Sequence, residues 1–221
     1  MGYVILLAGA SGAIGRRLLP LLSGAGHHVI GTTRSKEKFA DLRALGAEPV
    51  AVDVIRRDGP VRGGSNCPTS NCHPPTDGFA QGARASRMAE AVVRNARIRE
   101  ERTRNLLTAA AAAGAHRVVA QSIAWAYAPG PEPHQEDDAL DLGAVGSRAV
   151  SVRGIAALEH STFNAPPLAG VVLRYRQLYG PGTGVDAAVG PIPLHVDAAA
   201  YAALLSIDKG APGIFNIVRT E

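Results

Sequence analysis

Apolar and polar positions alternate with two different periods along this chain. Tyr3–Ala8 is an unbroken apolar run rich in Val, Ile and Leu and closed by glycine, the pattern of a strand buried on both faces. From Ile14 to Leu22 the period changes. Ile14, Leu18, Leu19 and Leu22 fall on one helical stripe, with Pro20 inside it and Gly24 and Gly26 beyond it; the proline is expected to kink or shorten the helix, and the glycines to end it. His28–Thr33 reads as a second strand. Strand, glycine turn, helix and strand make a βαβ unit.

Phe79–Ala113 is mainly helical, with Met88, Val92, Leu106 and Ala110 as its apolar positions. Its arginines (Arg84, Arg87, Arg94, Arg97, Arg99, Arg102 and Arg104) are interleaved with Glu90, Glu100 and Glu101, as on a solvated face. Pro129–Asp141 is a polar loop. A helix over Val145–Phe163, a strand at Val171–Tyr175, a glycine- and proline-rich stretch at Tyr179–Pro193, a short helix at Asp197–Leu205 and a last strand at Ile214–Val218 complete the pattern. The expected fold is α/β, a doubly wound parallel sheet.

One stretch breaks it. Residues 56–78 contain one Val and no Ile, Leu or Phe, and are rich in Gly, Pro, Ser and Asn. They read as loop, unusually long for the inside of a compact domain. A local frame shift in the coding sequence would keep the length and scramble the composition in this way; resequencing the gene tests it. Cys67, Cys72 and His73 lie in this stretch, but a zinc site needs about four ligands, and no fourth is specified. Free thiols and no metal are expected.

Composition narrows the class. The chain has 221 residues, 46% hydrophobic and 19% charged, enough apolar content for a core and too much for general disorder. Aromatics are only 5%, so Ala, Val, Leu and Ile must build that core. No apolar run is long enough to span a membrane, and the N-terminus lacks the basic region of a signal peptide. Two cysteines rule out a disulfide scaffold. A net charge of +4 is too small to argue for nucleic acid. A cytoplasmic location without membrane or nucleic-acid partners follows as an expectation.

The candidate chemistry begins at Gly9-Ala10-Ser11-Gly12-Ala13-Ile14-Gly15, a G-x-x-G-x-x-G turn between strand and helix. Gly9 permits the tight turn, Gly12 lets backbone approach a diphosphate, and Gly15 lets helix pack on strand. Ser11, Ala13 and Ile14 lend backbone groups at the helix N-terminus, where N–H groups favour anions. The second strand ends Thr32-Thr33-Arg34-Ser35-Lys36, with no carboxylate before Glu37. An acid there would bind the ribose hydroxyls of NAD; Arg34 suits the 2′-phosphate of NADP. NADP is therefore the expected cofactor, with NAD as the alternative.

These motifs resemble the short-chain dehydrogenase/reductase superfamily, and within it the NAD-dependent epimerase/dehydratase family. The resemblance rests on the GASGAIG turn, Val50-Ala51-Val52-Asp53-Val54, Thr103-Arg104-Asn105-Leu106-Leu107 and Arg117–Ser122. It extends through Leu173-Arg174, Leu178-Tyr179-Gly180-Pro181-Gly182, Leu194-His195-Val196-Asp197 and Phe215-Asn216-Ile217. It implies that Asp53 and Val54 flank the adenine and that a second copy packs through the long helices, with Val92, Leu106 and residues 145–158 as contributors. It also implies a Rossmann domain over residues 1–180 and a small, incomplete substrate lobe over 181–221.

The family's acid/base Tyr, and the Lys four residues later, are absent. The helix at 145–163 has neither residue, and by position Ser151 and Ile155 stand where they would fall. Ser122 and Tyr127 remain as catalytic candidates. The resemblance implies an NAD(P)-binding, epimerase/dehydratase-like oxidoreductase acting on a small substrate, such as a sugar nucleotide. The missing pair supports an alternative, a non-catalytic NADP-binding sensor or partner-binding protein.

Overall fold

The computed structural model describes residues 2–52, 66–69, 81–190 and 192–218, with backbone alone for 66–69 and 81–88. The chain runs β1 (Val4–Leu7), α1 (Ala13–Gly24), β2 (His28–Thr33), a single 3-10 turn, α2 (Phe39–Ala44), β3 (Ala47–Ala51) and β4 (Asn66–Thr69). It continues with α3 (Gln81–Arg97), a wide π turn (Ile98–Arg102), α4 (Thr103–Ala112), β5 (Arg117–Ile123) and α5 (Gly146–Phe163). Then come β6 (Ala169–Tyr175), β7 (Leu178–Tyr179), β8 (Leu194–His195), α6 (Val196–Asp208) and β9 (Gly213–Ile217).

Seven parallel strands form one sheet in the order β3-β2-β1-β4-β5-β6-β9. The direction of winding reverses between β1 and β4, which makes the fold doubly wound and Rossmann-like. The period-two pattern of β1 is read out on the two faces. Ile5 and Leu7 join the cluster that holds Leu18, Leu19 and Leu22 of α1 with Ala199, Ala200 and Ala203 of α6. Leu6 and Ala8 join Leu106, Leu107 and Ala110 of α4 on the other face. Alternation between two apolar faces is why the run had to be continuously hydrophobic.

Several elements depart from the sequence reading. Pro20 does not shorten α1, which continues to Gly24 with the proline on its exposed side. Residues 66–69, expected as loop, form the central strand β4, in register with residues 117–120 of β5. Backbone pairing to neighbours on both sides needs no apolar side chain, although Pro68 has no N–H to give the ladder. The rest of that stretch, including Cys72 and His73, lies outside the described residues.

Beyond residue 180, α6 and β9 pack into the main sheet and its core. β9 pairs with β6 and α6 packs on α1. The buried Tyr175 hydroxyl donates to the carbonyl of Ala199 at 2.9 Å. Arg117, at the start of β5, donates to the carbonyls of Ser206, Lys209 and Gly210 at the α6 C-terminus. Among the described strands, the short β7–β8 pair alone lies outside the main sheet. On the opposite face α5 approaches α3 closely: a Cβ on Gly154 would stand 2.8 Å from the Ala96 Cα.

Candidate functional site

The glycine turn sits at the carboxyl end of β1. Gly9 has φ +78°, a left-handed conformation that side chains disfavour, and the Gly12 N–H closes the turn on the Gly9 carbonyl at 2.9 Å. Gly12 is then the N-cap of α1, with extended backbone and no side-chain cap. The first-turn N–H groups therefore have neither an intrahelical acceptor nor a capping side chain. Gly15 is required by contact. A Cβ there would meet the backbone carbonyl oxygens of Gly9 and Ala10 at 2.6 and 2.7 Å. Thr32 on β2 braces the turn by accepting the Gly9 N–H at 3.3 Å.

A cleft of about 220 Å³ opens over this turn. Gly9, Ser11 and Gly12 form one wall; Thr32, Thr33, Arg34 and Lys38 form the end beyond β2; Ile98, Arg99, Arg102 and Thr103 form the wall from the α3–α4 junction. Val52 and Gln121 close the floor at the ends of their strands. Among the described lining residues there are four cations and no carboxylate.

Of the expected cofactor residues, Gly9, Ser11, Gly12 and Arg34 line this cleft. Ala13, Ile14 and Gly15 make the first turn of α1, where Ile14 and Gly15 are buried. Asp53 and Val54 lie outside the described residues. Arg99 departs from the expectation of a solvated arginine face: it is 8% exposed, burial pulls its guanidinium below the usual value, and its Nε has no hydrogen-bond partner. The sequence held a signal for this. Arg99 falls seven residues after Val92 and seven before Leu106, on the helix's own apolar stripe. Lys38 carries no comparable signal, because it lies in a single 3-10 turn (Lys36–Lys38) rather than in a periodic element.

Ser122 and Tyr127 are brought together, but on the far side of β5 in a buried polar network. The Ser122 hydroxyl donates to Glu159 Oε1 at 2.5 Å. Arg174 donates to Glu159 through Nε to Oε1 at 2.9 Å and Nη2 to Oε2 at 2.7 Å, and its guanidinium stacks 4.7 Å from the Tyr127 ring centre. Burial pulls Arg174 down, yet its bonds to Glu159 and Tyr127 hold it above the usual guanidinium value. The Tyr127 hydroxyl donates to Asn216 Oδ1 at 2.7 Å, and the Asn216 N–H donates to Glu136 Oε1 at 2.8 Å. Neither hydroxyl lines the described cleft. On α5, Ser151 and Ile155 are both buried.

Comparison with known proteins places this geometry in a wider group. The profile of the NAD dependent epimerase/dehydratase family matches residues 5–202. A 3-diazoavenalumate denitrifying reductase from a Streptomyces species is 37% identical over 239 aligned residues, covering 98% of this chain and 76% of the relative. Among solved structures, MoeE5 in complex with UDP-glucuronic acid and NAD superposes with a TM-score of 0.73 at 19% identity, covering 99% of this chain and 77% of that one. The Bordetella bronchiseptica enzyme WbmH in complex with NAD+ superposes with a TM-score of 0.70 at 14% identity, covering 99% and 76%. At these identities the structural likeness is one of fold. Among the described residues, no helix is long and apolar enough to cross a membrane.

Proposed function

The chain belongs to the NAD-dependent epimerase/dehydratase family, and from that premise we propose that it is a reductase that draws hydride from NADPH. The observation that carries the cofactor choice is the end of β2. Arg34 and Lys38 line the cleft there, and no carboxylate is among its described lining residues. Glu37, the nearest acid in sequence, is exposed and accepts a hydrogen bond from the Ser35 hydroxyl. Such an end favours a 2′-phosphate over free ribose hydroxyls. The turn Gly9–Gly12 and the uncapped start of α1 suit the diphosphate.

The substrate class follows from what α5 lacks. Reducing a carbonyl creates an alkoxide that must be protonated, which is the work of a tyrosine–lysine pair. Here that pair is missing, and the Ser122 and Tyr127 hydroxyls are already committed to Glu159 and Asn216. A cationic hydride acceptor removes the need for an acid. Hydride added to the ring carbon of an arenediazonium ion forms a C–H bond as the C–N bond breaks; the electron pair of that bond leaves with N2, and NADPH becomes NADP+. The arene and N2 leave uncharged, the positive charge passes to the nicotinamide ring of NADP+, and no proton is consumed. The 37% identical relative is named for a diazo compound and for denitrifying reduction, which supports this class over a sugar nucleotide.

The test is NADPH oxidation with an arenediazonium salt and, separately, with a panel of aldehydes and ketones. With nicotinamide-deuterated NADPH, the expected product is the arene carrying one deuterium, together with N2, above the enzyme-free rate. Turnover of carbonyls instead would overturn the substrate class. The absence of the pair also supports the second reading, in which the dinucleotide is bound without turnover; NADPH binding with no consumption on any substrate would favour that one.

A further inference from the structure

We infer that Arg99 is a diphosphate-binding residue, supplying the cation that clamps the dinucleotide against the glycine turn from the opposite wall of the cleft. The inference deepens the cofactor reading above and rests on it.

Arg99 is the anomaly of the described structure. A guanidinium withdrawn from water costs several kcal/mol unless an anion and hydrogen bonds replace the solvent. Arg174, the other deeply buried arginine, meets that requirement with the bidentate Glu159. Arg99 does not. It is 8% exposed, its Nε is unpaired, and among the described residues it has no ion-pair partner. Its acidic neighbours face elsewhere: Glu100 is exposed and Glu101 accepts from Arg97 at 2.8 Å.

Local structure explains how the charge came to be buried. Arg99 precedes Thr103, Leu106 and Ala110 on one helical stripe, and those three pack against or beside the sheet. The π turn Ile98–Arg102 joins α3 to α4 at this level, and wide turns of this kind recur at functional sites. Arg99 is thus carried above the core, over the carboxyl ends of the strands, where it lines the same cleft as Gly9, Ser11 and Gly12. Arg34 and Lys38 serve the far end, beyond β2. A dinucleotide lying across the strand ends has two anionic groups, and the two sets of cations divide between them. The 2′-phosphate faces Arg34 and Lys38. The diphosphate lies between the α1 N-terminus and Arg99.

The division gives a test that separates the two phosphates. Affinities for NADP+, NAD+ and ADP are measured by calorimetry on wild type, R99M and R34Q, with a melting curve of each unliganded protein. Charge-assisted bonds of this kind correspond to a loss of roughly 10- to 100-fold. R99M is expected to lose that much for all three ligands alike, while its unliganded form melts at or above the wild-type temperature, because an unpaired buried charge has been removed. R34Q is expected to lose affinity for NADP+ only. R99M with unchanged affinity for NAD+ and ADP, or with a loss confined to NADP+, would overturn the inference and leave the cofactor reading standing. Wild type that binds none of the three would overturn the cofactor reading, and the inference with it.

Discussion

Arg174 grips both carboxylate oxygens of Glu159, at 2.9 and 2.7 Å, with both side chains buried. The pair joins α5 to β6, fifteen residues apart, and Ser122 adds a third bond to the same carboxylate from β5. Three elements of the sheet and its cover are therefore tied through one anion.

Removing that anion is expected to be severe. E159Q keeps the shape and leaves Arg174 as an uncompensated buried cation, at a cost of about 3–5 kcal/mol. For a domain of this size that corresponds to a fall in melting temperature on the order of 10 °C. The double variant E159M/R174M removes both charges and is expected to cost less than the sum of the two single variants, a coupling read from a double-mutant cycle by thermal melting.

Gly15 is expected to tolerate no side chain. In G15A the new Cβ would press on two backbone carbonyls, those of Gly9 and Ala10, and backbone cannot swing aside as a flexible side chain can. Helix α1 must back away from the end of β1, at about 1–3 kcal/mol. The same shift opens the turn, so affinity for NADP+ falls with stability. A variant that melts lower but binds normally would separate the helix–strand contact from the phosphate turn.

How much of this was legible beforehand depended on the kind of signal. β1, the glycine turn, α1 and β2 were readable because Ile5, Leu7, Leu18 and Leu22 carry their period in their own identities, and Gly9 and Gly15 are needed for local reasons. β4 was not readable, since the Asn-Cys-Pro-Thr run owes its strand to the neighbours that flank it. Helix α2 is six residues long with Leu42 as its one buried residue, too short for a period to emerge. The joining of α6 and β9 to the main core is a tertiary fact, sealed by Tyr175 and Arg117 contacts across long sequence separations. Arg99 was misread because charge alternation outweighed its place on the Val92–Leu106 stripe.

Arg34 sets cofactor choice in this reading. R34Q is expected to lower the ratio of NADP+ to NAD+ affinity by about tenfold, because a charge-assisted contact to the 2′-phosphate is lost and NAD+ has nothing to lose there. Lys38 lines the same end of the cleft, so R34Q/K38Q should lower the ratio further. Salt makes an independent check: both sites are exposed, and the preference for NADP+ should shrink as ionic strength rises.

Acid stability has a local component at residues 132–138. A hydrogen bond from His134, then one from the Gln135 N–H, holds Asp138 below the usual carboxylate value of 3.8. Arg176 does the same for Glu132. A carboxylate whose value is lower folded than unfolded favours the folded state above the unfolded value. That contribution is lost as pH falls through the folded value. D138N is therefore expected to melt slightly lower than wild type at neutral pH and to converge with it below about pH 4. Parallel melting curves offset by a constant amount down to strong acid would show that Asp138 acts only through packing.

The hydroxyls of Ser122 and Tyr127 separate acid catalysis from positioning. If reduction ends in release of N2 from a cationic substrate, no protein group delivers a proton, and both hydroxyls serve the Glu159–Arg174 network instead. Y127F then loses one hydrogen bond to Asn216, about 1 kcal/mol, and S122A loses one to Glu159, a charged acceptor, about 1.5–3 kcal/mol. Both variants are expected to melt lower than wild type while kcat for NADPH oxidation with an arenediazonium salt stays within about threefold, well short of the factor of roughly 10²–10⁴ that a proton-transfer group contributes. The pH profile of kcat sharpens the distinction. An essential acid imposes a falling limb at high pH that the variant abolishes, whereas a positioning hydroxyl leaves the profile's shape unchanged. A loss of a hundredfold or more in either variant, with the alkaline limb gone, would return that residue to the reaction itself and turn the substrate class back toward a carbonyl.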